Sequence, residues 1–136
     1  MLRTFYIVAS ALSLGNAAWM LVAPASWFTR LPAAIPDTGP YNGHLVRDFG
    51  VAFAVMGVAL AWAARNPARA RGVHLAVTAF LVGHALIHVA DLLAGRLPHR
   101  HWLLDLPLTF VPPLLFLALA HPAVWRRLDT GRGNER

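Results

Sequence analysis

The chain has 136 residues, of which 57% are hydrophobic and 13% charged, and it contains no cysteine. That is one domain's worth of material and too apolar for an ordinary water-soluble domain. The formal net charge of +6 comes with no basic stripe interleaved with aromatics and no nucleic-acid motif, so nucleic acid is not an expected partner. Without cysteine there are neither disulfides nor thiolate ligands, and any metal has to be held by nitrogen and oxygen.

Four apolar stretches are long enough to cross about 30 Å of hydrocarbon at ~1.5 Å per residue. The first covers residues 4–22. Its start imitates a secretory signal, with Arg3, an apolar run and the small residues Ala17 and Ala18. Because the run continues through Trp19 to Val22, a retained first span is expected. Residues 23–43 carry Pro24, Pro32, Pro36, Gly39 and Pro40, a density of breakers that rules out one continuous helix. Trp27, Phe28 and Leu31 suit a short amphipathic turn at headgroup level.

The second span, 44–64, opens with His44 and Asp48 at i, i+4. Asn66-Pro67 and three arginines mark the tight link 65–71. The third span, 72–94, carries His84, His88 and Asp91 at i, i+4 and i+7 on a single helix face. A short link, 95–101, leads to a fourth span, 102–120, which has Asp105 near its start and a kink expected from Pro107, Pro112 and Pro113. His74 and His121, at the opposite ends of their spans from this polar set, are read as interfacial. Residues 122–136 form a polar tail.

Short links favour an all-α, up-down-up-down bundle of four transmembrane helices. Eight arginines, Arg3, Arg65, Arg69, Arg71, Arg126, Arg127, Arg132 and Arg136, fall on one side of it. Positive charge stays inside, which predicts that both termini are cytoplasmic. Asn16, His44, Asp48, His84, His88, Asp91 and Asp105 then share the outer half of the bilayer.

Ionisable residues inside a membrane are costly and mark functional sites. Imidazole and carboxylate are common ligands of zinc, iron and copper, so His44, His84, His88 and Asp91 are the candidate metal ligands. Asp48 and Asp105 are candidate catalytic groups, placed to orient a metal-bound water or act as general base. The structural alternative is a hydrogen-bonded network that holds helices together. Asp105 is a candidate partner of Arg100 or a helix cap, and His99 and His101 are read as solvated loop residues.

The segment from Asn42 to Gly50 (NGHLVRDFG), followed by GHALIHVAD in the third span, resembles small four-span bacterial membrane proteins, the DoxX-like sets and neighbouring families of unknown function. The resemblance covers most of residues 1–121. It implies a four-helix domain in a bacterial plasma membrane and no particular reaction.

Three functions compete. A metal-dependent membrane protein, with or without catalysis on a small lipophilic substrate, is the first. A b-type cytochrome with haem between His44 and either His84 or His88 is the second. The third needs no cofactor: a carrier or accessory subunit that uses the His/Asp groups as a proton relay, as a homodimer or within a larger membrane complex.

Overall fold

The computed structural model describes residues 1–126, so most of the tail expected at 122–136 lies outside the described residues. Those residues are helical, with no strand among them. Three long helices, α1 (Leu2–Val22), α3 (Gly43–Arg65) and α4 (Arg71–Leu93), are each long and apolar enough to cross a membrane. Their ends agree with the predicted spans to within two residues. Only 22% of each apolar window is buried, leaving residues such as Leu12, Val55 and Leu86 exposed. Helices that remain apolar on their outward faces fit a hydrocarbon surround.

Local chemistry sets the boundaries. Between α1 and α3 the breaker-rich connection folds into a short helix α2 (Pro24–Arg30) and a 3-10 turn (Ile35–Thr38). Pro24 opens α2, where its missing N–H is no loss. Asn42 caps α3, its Oδ1 accepting the backbone N–H groups of His44 and Leu45, each at 3.1 Å. Asn66-Pro67 ends α3, and a 3-10 turn (Pro67–Arg69) reverses the chain into α4. Gly95, at φ 68°, turns the chain away from α4 while the Arg96 N–H donates back to the Asp91 carbonyl at 2.8 Å.

The fourth apolar segment is broken. It comprises α5 (His101–Leu104), a π-helical turn (Leu106–Phe110) and α6 (Val111–Leu119). Pro112 and Pro113 supply no N–H to the turn before them, and the ladder loosens there. The Asp105 carbonyl accepts from both Thr109 (2.8 Å) and Phe110 (3.1 Å), the widened register of a π turn. The proline kink expected from the sequence thus takes the form of a bulge directly after Asp105.

Close approach joins α1 to α3. A Cβ on Gly57 would lie 2.7 Å from Leu14 Cγ, and one on Gly50 would lie 3.0 Å from Leu21 Cγ. The Ser10 hydroxyl uses that proximity to donate to the Gly57 carbonyl at 2.8 Å. The apolar core, which includes Tyr6, Leu60, Ala63, Val77 and Phe116, lies toward the arginine-rich end. His74 is fully buried within it, whereas the sequence suggested an interfacial residue. Its Nε2 is 2.9 Å from the Phe116 carbonyl, an acceptor only, so Nε2 carries the proton. Nδ1 is left to accept the Tyr6 hydroxyl at 3.0 Å. One neutral imidazole therefore ties α1, α4 and α6 together, fully satisfied.

Candidate functional site: an imidazole and carboxylate chain

At the opposite end from that core, α4, α5 and the connection before α3 bring together a second polar set. His88 Nδ1, on α4, lies 2.7 Å from Asp105 Oδ2. The other oxygen, Asp105 Oδ1, is 3.1 Å from His101 Nδ1, one turn earlier in the chain. His101 Nε2 in turn is 3.1 Å from Asp37 Oδ2, in the 3-10 turn. The same Asp37 oxygen accepts from Arg100 through Nη2 and, at 3.1 Å, through Nε. On the inner side, the His88 ring meets His84 edge to face at 4.7 Å between centroids, and His84 stacks on Phe80. Acid and imidazole alternate without a gap from Asp37 to His88.

Burial falls along this chain toward its loop end. Asp105 is 1% exposed and His101 fully buried, whereas Arg100 at the terminus is 60% exposed. A buried carboxylate survives only when its acceptor sites are used, and Asp105 uses both oxygens on imidazoles. Arg100, hydrogen-bonded to Asp37, and then His101 hold the Asp37 carboxyl below the ordinary carboxylate range. Asp37 is therefore ionised at neutral pH and acts as an acceptor, which makes His101 Nε2 the donor.

Two proton placements then satisfy the middle of the chain. With Asp105 ionised, His101 is an imidazolium, and Asp105, His101, Asp37 and Arg100 sum to zero charge. With His101 neutral, its Nδ1 accepts a proton held on Asp105. The two differ only by a proton moving across one 3.1 Å contact.

The residues singled out from the sequence are divided by the fold. His84, His88 and Asp105 belong to one cluster. Asp91 is turned to Arg96, with which it pairs at 2.7 Å. His44 and Asp48 pair with each other at 3.4 Å on the surface of α3, at 88% and 60% side-chain exposure. Among the described residues, no group of three or more His, Asp or Glu side chains is positioned to hold a metal ion. His44, the second axial candidate for haem, likewise faces outward. Asn16 accepts the Trp27 indole N–H at 2.8 Å, which fastens α2 to α1.

Sequence reasoning missed Asp37 and His101. His101 carried a readable signal, the i, i+4 spacing to Asp105 at the mouth of the fourth span. Asp37 carried none, since its partners lie 63 and 64 residues away. A separate apolar groove of about 310 Å³ between α4 and α6, lined by Leu86, Val89, Phe110 and Leu114 among others, includes none of these polar residues.

No family model matches the chain, and no curated protein and no solved structure matches it.

Proposed function

We propose that this chain is a four-span protein of a bacterial plasma membrane, with both termini cytoplasmic, that relays protons between the outer aqueous phase and a polar site at His84 and His88 inside the bilayer. It serves a proton-coupled carrier or a larger membrane complex. The single observation that carries this reading is the unbroken alternation Asp37, His101, Asp105, His88 at hydrogen-bond distances of 2.7–3.1 Å. Chains of Asp and His within membranes are typical proton relays. Histidine suits the task because its ordinary pKa lies near physiological pH.

The test follows the proton. Histidine-labelled protein is reconstituted with one orientation in vesicles whose inner and outer pH are set independently, and imidazole nitrogen signals are read by NMR. The His88 signal should follow the outer pH in the wild type and remain unchanged in its response when His121 is replaced by Ala. A His88 signal indifferent to outer pH overturns the reading.

A second reading, a transition-metal site on a protein acting on a small lipophilic substrate, is favoured by a different observation. Asp105 engages His88 through Nδ1, and the His88 ring lies 4.7 Å from the His84 ring, centroid to centroid. A carboxylate behind a ligating imidazole is the usual way of orienting it. Elemental analysis of purified protein separates the two: bound zinc, iron or copper that is lost in the His84→Ala/His88→Ala variant supports the metal, and no metal in the wild type removes it.

A further inference from the structure

The relay needs a terminus that meets water, and the geometry points to Asp37 as that terminus, with Arg100 as a latch that keeps the proline-rich connection closed over His101. The inference rests on the relay reading for its purpose and on separate observations for its geometry. His101 has no exposed surface, although its neighbours Arg100 and Trp102 are well exposed. Asp37 is the group in contact with its Nε2, and the 3-10 turn that carries Asp37 is reached through Ala34 at φ 46° and ψ 44°. An alanine in the left-handed region is strained, so the turn has to be held in place from outside itself.

The polar hold is concentrated on one atom. Asp37 Oδ2 accepts from Arg100 Nε, Arg100 Nη2 and His101 Nε2. The charged groups facing Asp37 are Arg100 from the link before α5 and His101 from α5 itself, with Asp105 behind His101. Arg100 and His101 thus both hold a single carboxylate oxygen. While Arg100 holds it, the turn stays down, and His101 exchanges protons with Asp37 rather than with bulk water. When the pair parts, rotation at Ala34 lifts the turn and His101 opens to the aqueous phase. Arg100 is a positioning residue in this scheme, since it acts on the proton path only through Asp37.

Diethyl pyrocarbonate, which modifies accessible imidazole nitrogens, reads the latch by mass spectrometry independently of proton transfer. In the wild type, exposed His44 should label readily, while buried His74 and His101 are protected at least tenfold relative to it. In Arg100→Gln and Asp37→Ala, His101 should approach the rate of His44 while His74 stays protected, which reports an intact core. The chain contains no cysteine, so Asp37→Cys/Arg100→Cys can be bridged by a short bis-methanethiosulfonate reagent and released by reduction. His101 should be protected when bridged and labelled when released. Equal labelling in the two forms, or wild-type protection in both single variants, overturns the latch. If His101 labelling follows the latch while the His88 signal ignores outer pH, the relay fails and the latch stands; the reverse result rejects the latch alone.

Discussion

Replacing Asp105 by Asn separates a proton relay from a structural network, because the amide can satisfy the same partners and still cannot pass a proton. In Asp105→Asn the new side chain offers one carbonyl oxygen to the His88 N–H and one amide N–H to His101 Nδ1. His101 would then be neutral, with its Nε2 proton still directed at Asp37 as in the parent chain. Starting from the placement with Asp105 ionised, two charge-assisted hydrogen bonds become two neutral ones, a loss of about 2 kcal/mol in total. Asp105→Ala is far harsher: both imidazoles lose their acceptor in a site where Asp105 is 1% exposed, at a cost of roughly 1–3 kcal/mol each.

The functional loss runs the other way. A carboxamide does not ionise near neutral pH, so the path from His101 to His88 is cut. Positioned proton transfer contributes on the order of a hundredfold or more to rates, and the His88 response to an outer pH step should slow by about that factor. Unfolding in graded SDS supplies the stability and histidine NMR the rate. A folded Asp105→Asn protein that passes protons to His88 at the parent rate would falsify the relay, whatever its stability.

Three further outcomes are expected. Tyr6→Phe leaves His74 Nδ1 a buried acceptor without its 3.0 Å donor, and should lower stability to SDS by about 1–2 kcal/mol; an unchanged midpoint would show that the clamp contributes nothing. Gly57→Ala forces a Cβ to within 2.7 Å of Leu14 Cγ and 3.2 Å of its backbone nitrogen, so α1 and α3 must separate at about 1–3 kcal/mol. Gly15→Ala, which meets nothing within 4 Å, should change stability by less than about 0.5 kcal/mol, and equal effects of the two would refute the packing argument. Asp37 has a folded pKa below its ordinary 3.8, through Arg100 first and His101 second. Its contribution is therefore complete above that ordinary value and is lost as pH falls through the lowered one. The carboxyl carbon shift of Asp37 should titrate below 3.8 in the wild type and move up toward 3.8 in Arg100→Gln; no upward movement would remove Arg100 as the principal cause.

How far the sequence discloses such a site is clearest from two identical signals. His44 with Asp48 and His101 with Asp105 have the same i, i+4 spacing, each near the start of an apolar segment. One pair is exposed on α3, and the other is fully enclosed. Helical spacing fixes which side chains are neighbours along one element, and it does not fix what covers them. The partner of His101 Nε2 is Asp37, far away in the chain and inside a segment legible only as a breaker-rich connection. The three long helices were legible because length and hydropathy are local properties. The set His84, His88 and Asp91 divides for a related reason: periodicity aligns all three, but α4 ends two residues after Asp91, within reach of Arg96 once Gly95 turns the chain back. A carboxylate that close to a helix end has a cheaper partner than a buried imidazole. Asp105 meets the opposite condition, since the π turn that follows it keeps the backbone helical and the side chain inside, where two histidines are the partners it finds.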